Sequence, residues 1–235
     1  MQLFYNKDIS SETNQITFDK NESRHIVRVL RKQEGDLLYI TNGNGVLFTC
    51  EILISNDKKC VANIIKSEEK PKPWKYYLHI AIAPTKNNDR YEWFLEKATE
   101  IGIDEITPII CQNSERKVLK IERMEKILQS AMKQSLKYQL PKLNEPIKFS
   151  EFINNEQQGK LCIAHCEEQN KLSLKEYLNP NQNVTLLIGP EGDFSISEIK
   201  TALEKNYQPI TLGESRLRTE TAGLVAVNLV TFINQ

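Results

Sequence analysis

The sequence has no surplus of charge, no long apolar run and no ordered set of cysteines, and each absence excludes something. Its 31 lysines and arginines are balanced by 31 aspartates and glutamates. Overall charge therefore recruits no nucleic acid, and any such partner must be held by local patches. No apolar run approaches the roughly 18 residues that a membrane-spanning helix requires, so no membrane partner is expected. The opening MQLFYNKDIS lacks the basic-then-apolar order of a secretory leader. Cys50, Cys60, Cys111, Cys162 and Cys166 are odd in number and have no disulfide-like spacing, which points to a reducing cytoplasm. Cys162-x-x-His165-Cys166 has no second ligand pair beside it, so it reads as a strand end with incidental thiols, and no metal is expected. No internal repeat is visible.

What is present is an ordinary globular composition, 40% hydrophobic and 26% charged over 235 residues, enough for one large domain or two modest ones. The visible seam is "KSEEKPKPWK", residues 66–75, where charge and two prolines interrupt regular structure. Before it lie apolar or alternating runs at Gln15–Phe18, Leu37–Thr41, Val46–Ser55 and Lys59–Ile65, with the hairpin signal "TNGNG" between two of them. These predict a small β-rich domain over residues 1–70 that carries one helix. Residues 71–235 alternate instead: strands Tyr76–Ala83, Ile106–Ile110, Lys160–Ala164, Val184–Ile188 and Pro209–Leu212. Between and after them fall helices Asp89–Ile101, Lys120–Lys137, Ile196–Asn206 and a last one ending at Phe232. Such alternation predicts an α/β domain with a mostly parallel sheet.

In Asp89–Ile101, Tyr91, Phe94, Leu95, Ala98 and Ile101 form one apolar stripe, with Asp89 and Glu92 as a candidate cap. In "SRHIVRVLRK", helical spacing puts Arg24, Arg28 and Arg31 on one face and Ile26, Val27 and Leu30 on the other. That basic face is either solvated or a clamp for RNA, since arginine's planar fork suits phosphate and stacks on bases.

The segment "LLIGPEGDFSISEI" runs from a buried strand through Gly189 and Gly192 to a helix that Ser195 and Glu198 open as a capping box. Its glycines allow close backbone approach or positive φ. It is neither a P-loop nor a dinucleotide fingerprint. Pro190 removes a donor, and Glu191 and Asp193 repel phosphate. "ITLGESRLRTETAGLVAVNLV" repeats the pattern of strand, glycine (Gly213) and helix. Its last helix is apolar almost all round, which calls for burial in a core or a subunit interface. Two such loops at neighbouring strand ends form one pocket at the carboxyl edge of a sheet, walled by backbone that suits a purine ring better than a triphosphate.

Together, "LLIGPEGDFSISEI" and "LGESRLRTETAGLVAV" resemble the signature of the RsmE-type 16S ribosomal RNA (uracil-N3)-methyltransferases of the SPOUT superfamily. "HIVRVLRKQEGD", "DRYEWFLEKATEIGIDEITPI" and "AMKQSLKYQLPKL" extend the resemblance upstream, with weak similarity around residues 143–180. The resemblance implies a PUA-like β-barrel domain for RNA, then a SPOUT-type α/β methyltransferase domain with a trefoil knot. It also implies S-adenosyl-L-methionine as cofactor, 16S rRNA of the small ribosomal subunit as partner, and a homodimer. Cofactor contacts fall on Leu187, Ile188, Gly189, Pro190, Glu191 and Gly192, on Leu212, Gly213, Arg216, Leu217 and Arg218, and near His165. For catalysis, Arg218 would stabilise the uracil anion while Glu191 or Glu220 takes the N3 proton. RNA contacts fall on Arg24, His25, Arg28, Arg31, Lys86, Arg90, Arg116, Gln134 and Lys137. The chain departs from the family at Asp193, where GPEGG is usual, and at Leu136-Lys137, where Gly-Arg is common. From the residues alone, a non-catalytic RNA-binding assembly factor and a nucleotide enzyme are the other readings, the latter weakened by the missing phosphate motifs.

Overall fold

A computed structural model describes all residues, Met1–Gln235, as two compact units. The first comprises Met1–Pro73 together with Met132–Leu140, and the second Trp74–Ala131 with Pro141–Gln235.

The first unit is built on five strands: β1 (Leu3–Tyr5), β2 (Gln15–Thr17), β3 (Leu37–Thr41), β4 (Val46–Ile54) and β5 (Val61–Glu69). Their order is β1-β3-β4-β5-β2, antiparallel except for the β1–β3 pair. β4 and β5 slip register after Thr49 and after Ile52, irregularities that bend and twist a sheet around its core. That core includes Phe4, Ile16, Phe18, Ile26, Ile40, Phe48 and Ile52. β5 continues through the acidic part of the expected seam, because Lys66–Glu69 pairs with Val46–Thr49 and needs no apolar residues at a sheet surface.

The one helix of this unit starts as expected but does not keep α spacing. Asp19 caps α1 (Lys20–Arg24), accepting from Asn21 and Glu22 N–H, and His25–Val29 follow as a π turn. Ile26 is buried and Val27 and Leu30 pack on the core as the spacing predicted. The wider π turn, however, breaks the i, i+4, i+7 face expected of Arg24, Arg28 and Arg31, and Arg31 lies beyond the helix at φ 55°. Met132–Leu140 closes the unit's hairpin. Gly45 N–H donates to Tyr138 O and Leu140 N–H donates to Gly43 O, 2.8 Å each.

The second unit contains β6 (Leu78–Ile82), α2 (Asn88–Ile101), β7 (Glu105–Ile110), α3 (Ile121–Gln134, whose last turn belongs to the first unit), β8 (Lys142–Leu143), β9 (Ile147–Lys148) and α4 (Phe149–Phe152). It continues with β10 (Lys160–Ala164), β11 (Leu172–Ser173), α5 (Leu174–Tyr177), β12 (Val184–Ile188), α6 (Ile196–Glu204), β13 (Gln208–Thr211) and α7 (Thr219–Ile233). Every strand pair is parallel, in the order β11-β13-β10-β12-β6-β7-β8, with β9 also on β7. β6 and β12 are buried at every position, as strands covered on both faces must be. On one face Ala81, Ala83, Ile163 and Leu187 meet Phe149, Phe152, Phe194 and Ile199. On the other, Gly223 lets α7 come close to β6 and α2, for a Cβ there would stand 2.7 Å from Ile82 and Phe94 side-chain atoms.

Several expected boundaries move. Asn87, not Asp89, caps α2 by accepting the Asp89 N–H, which leaves Asp89 in the first turn where its charge suits the helix dipole. α3 ends at Gln134 rather than Lys137, because Leu136 adopts φ 53° and turns the chain. The expected helix to Asn206 ends at Glu204, and Asn206 takes φ 63°. The capping box of Ser195 and Glu198 is formed on α6 as read from sequence.

Candidate active site

Three adjacent strands, β12, β10 and β13, end side by side at Ile188, Ala164 and Thr211. The loops that leave them enclose a cavity of about 540 Å³ within the second unit. This is the carboxyl edge of a parallel sheet, where side chains and loop backbones converge.

Of the residues expected to hold a cofactor, His165, Ile188, Gly189, Pro190, Glu191, Leu212, Gly213, Arg216 and Leu217 line this cavity. Leu187 does not; strand alternation turns its side chain into the core. Gly192 and Arg218 also stand outside the wall, Gly192 because it backs onto the β7 side, with Asn113 Cβ 3.1 Å from where its own Cβ would be. Neither Gly189 nor Gly192 has positive φ. The Gly189 position is instead crowded by Phe194, 3.1 Å from a would-be Cβ. Gly213 is the reverse case, at φ 143° with nothing within 4 Å. Sequence reading missed Lys171, Asp193 and Thr219 in the wall. Asp193 was the legible one, as a polar residue directly after the second glycine.

The two glycine loops are tied together. Thr219 Oγ1, buried at the start of α7, donates to Gly189 O at 3.1 Å. Asp193 stands at φ 62°, and its Oδ2 accepts the Cys166 N–H at 2.6 Å, joining the first loop to the end of β10. The departure at Asp193 therefore alters the wall itself.

His165 is 8% exposed. Burial first, then the nearby Lys171 charge, pushes its pKa down to about 4, so the ring is neutral at physiological pH. The Gln169 side-chain amide meets Nε2 at 2.5 Å. Nδ1 is buried with no partner. Lys171 Nζ is occupied by the His165 carbonyl oxygen at 2.6 Å.

Among the expected catalytic groups, Glu191 lines the cavity, and its Oε1 accepts the Lys86 N–H at 2.8 Å. Glu220 does not reach the cavity; it is buried in the first turn of α7, 3.8 Å from Arg90 Nε. Arg218 precedes α7 as its N-cap residue and is exposed. Among the expected RNA contacts, Arg24, Arg28, Arg31 and Gln134 are exposed, whereas His25, Arg90 and Lys137 are half-buried. Arg28 Nε already donates to Asp57 at 2.7 Å. Lys86 Nζ pairs with Glu115 at 2.8 Å, and Arg116 is spent on backbone carbonyls.

The charged side chains of the wall are Lys171 and Arg216 against Glu191, Asp193 and Glu214. An excess of carboxylates and a neutral imidazole disfavour phosphate and suit a polar ligand of net positive charge. Fold and site thus define an α/β protein with a ligand-sized, carboxylate-rich cavity at the carboxyl edge of its parallel sheet. Comparison with known proteins gives the family. Residues 72–231 match the RNA methyltransferase domain model, and residues 18–65 match the RNA methyltransferase PUA domain model. The chain belongs to this RNA methyltransferase family, and it has the parallel-sheet methyltransferase fold and the PUA-like domain that the sequence implied.

Among its relatives is "Ribosomal RNA small subunit methyltransferase E" of Buchnera aphidicola, 31% identical over 92% of this chain and 87% of the relative. A solved structure from Porphyromonas gingivalis, named "probable rRNA-methyltransferase", is 42% identical with a TM-score of 0.93, covering 100% of this chain and 98% of that one. A Legionella pneumophila protein solved with the bound cofactor SAM is 26% identical with a TM-score of 0.87, covering 99% of this chain and 97% of that one.

Proposed function

We propose that this enzyme transfers the methyl group of S-adenosylmethionine to N3 of a uridine in 16S rRNA of the small ribosomal subunit. The observation that carries the cofactor assignment is the wall of the cavity. S-adenosylmethionine has a sulfonium, an ammonium and a carboxylate, hence one net positive charge, and the wall has three carboxylates to two cations. The unpartnered His165 Nδ1 and the open space above Gly213 fit a ligand with polar groups lying against backbone. The small-subunit RNA assignment is supported by the Buchnera relative's name, and the cofactor by the Legionella structure.

When bound, the sulfonium supplies an electrophilic methyl group, so the chain's own task is alignment and proton handling. Alignment of reacting groups supplies roughly 7–11 kcal/mol of such a barrier. Ile188–Glu191 and Leu212–Leu217 hold the cofactor, and His165 meets it with Nδ1. Glu191 takes the N3 proton, being the carboxylate of the two candidates that lines the cavity. Arg218, exposed beside the second loop, stabilises the negative charge left on the uracil ring. The target must be unpaired or flipped, because pairing hides N3.

In the same reading, residues 1–70 form the RNA-holding β domain and residues 71–235 the catalytic domain. Arg24, His25, Arg31, Gln134 and Lys137 approach the RNA, joined by Arg28 once Asp57 yields it. The carboxyl-terminal segment passes through the loop behind β12 as a trefoil knot, and the Thr219–Gly189 hydrogen bond supports that arrangement. The protein is a cytoplasmic homodimer; half-exposed Leu224, Val225 and Leu229 and the 62% exposed Phe232 on α7 support a second copy. No helix is long and apolar enough to cross a membrane. Calorimetry with S-adenosylmethionine tests the reading against a non-catalytic RNA-binding factor: saturable binding is expected, and its absence refutes the enzyme assignment.

A further inference from the structure

Arg116 stands in no wall of the cavity, yet its hydrogen bonds lead to it. Nε donates to Thr85 O and Lys86 O at 3.1 Å each, and Nη2 donates to Lys86 O at 2.6 Å. Thr85 C=O and Lys86 N–H belong to one peptide unit, which is planar and rigid, with its two polar ends pointing opposite ways. Holding the oxygen therefore aims the N–H, and that N–H donates to Glu191 Oε1 at 2.8 Å. The Lys86 ammonium is itself paired with Glu115 and feels Glu191 only as a more distant charge. Glu191 Oε2 is buried without a partner, so the Lys86 N–H is the single hydrogen bond that orients this carboxylate.

The β7 side braces the same loop at a second point. Asn113 Nδ2 donates to Gly192 O and Asp193 O at 3.1 Å each, directly after Glu191. The carboxylate and the chain just after it are thus gripped from residues, Arg116 and Asn113, that lie outside the cavity wall.

We infer that Arg116 is a positioning residue for methyl transfer, placing the Glu191 carboxylate in the cofactor cavity through the Thr85–Lys86 peptide. The role differs from the RNA contact that the family resemblance implied for Arg116, and it rests on Glu191 taking the N3 proton. A planar guanidinium spans two neighbouring carbonyls from one side, a reach that a lysine's single ammonium does not reproduce. Arg116→Lys is accordingly expected to restore only part of what Arg116→Ala loses.

The test is a double-mutant cycle on the full chain with Arg116→Ala, Glu191→Ala and the pair. It reads single-turnover transfer into unmethylated small subunits, calorimetric affinity for S-adenosylmethionine, and RNA affinity across a salt series. Arg116→Ala should slow transfer by about a hundredfold, the loss a displacement near 1 Å produces. In the Glu191→Ala background the same change should cost no more than about twofold, the mark of residues acting as one unit. Cofactor affinity should show the same non-additivity, while RNA affinity and its salt slope stay unchanged. Additive losses in transfer and binding overturn the inference. So does a salt slope lowered by about 0.7–0.9, which marks a lost phosphate contact. If Arg116→Ala does not fold, Arg116→Lys carries the same cycle, with additivity again the contrary result. A wild-type protein that transfers no methyl group refutes the proposed reaction, whereas the calorimetric cycle still decides the positioning role.

Discussion

Asp193 Oδ2 accepts the main-chain N–H of Cys166 at 2.6 Å from a residue held at φ 62°. The left-handed backbone explains why glycine is usual there, and the bond explains what an aspartate adds: it ties the first loop to the segment that leaves β10 beside His165. Asp193→Ala should lose the bond and keep the strain, whereas Asp193→Gly loses the bond and relieves it. Urea denaturation should find the alanine variant less stable than the glycine variant by about 1 kcal/mol. Equal stabilities would remove the backbone argument.

Leu136 stands at φ 53° just past α3, and Lys137 N–H donates to Met132 O at 3.0 Å, the closing bond of a Schellman turn. Glycine is the residue this position favours, and here a leucine 41% exposed to solvent occupies it. Leu136→Gly should stabilise the protein by about 0.5–1 kcal/mol, less than the full left-handed penalty because glycine loosens the unfolded chain. A chemical denaturation curve that moves the other way would contradict this.

Gly213 combines φ 143° with open space toward the cavity. A side chain there strains the loop and occupies room meant for ligand. Gly213→Val should abolish calorimetric binding of S-adenosylmethionine while the far-ultraviolet circular dichroism stays native. Undiminished affinity in a folded variant would place the ligand elsewhere.

His165 gives a pH signature. Its pKa is 6.5 ordinarily and about 4 in the fold, where burial and Lys171 oppose its charge. As pH falls the unfolded chain binds the proton first, so this group's contribution is intact above pH 6.5 and lost progressively toward pH 4. Across that window wild-type stability should fall more steeply than that of His165→Gln, by at most about 1.4 kcal/mol per pH unit. Parallel pH profiles would show that the ring is not held neutral.

What the sequence made legible was whatever local rules decide. Val184–Ile188 is an apolar run flanked by glycine, and it is the central, doubly covered strand. Ser195 and Glu198 are three apart, and they form the box that starts α6. Nine expected cofactor contacts line one cavity because strand ends and glycines mark their own places. Illegible were features set by distant partners. Leu3–Tyr5 is too short to read and pairs in parallel with Tyr39–Thr41, and Leu172–Ser173 is a two-residue strand on β13. The membership of Met132–Leu140 in the first unit depends on Gly43 and Gly45, some ninety residues away in sequence. Likewise, periodicity placed three arginines on one face, but it carries no sign that the helix widens into a π turn or that Asp57 takes Arg28.

That pairing yields a prediction for RNA binding. Arg24→Ala and Arg31→Ala should each lower the salt slope of log K by about 0.7–0.9 if each arginine meets one phosphate. Asp57→Asn, which releases Arg28, should raise affinity at low salt. Filter binding of small-subunit RNA over a salt series checks all three, and unchanged slopes would make the basic surface a solvated one.

The central claim is the position of the transferred methyl group. Labelled methyl transfer from S-adenosylmethionine into undermethylated small subunits, followed by mass analysis of the digested nucleosides, measures it directly. The account predicts label in 3-methyluridine, with a single-turnover rate that rises with pH as N3 loses its proton, and with Arg218→Met slowed by about 2.7–4 kcal/mol of transition-state stabilisation. Label in a ribose-methylated nucleoside or on another base would contradict it.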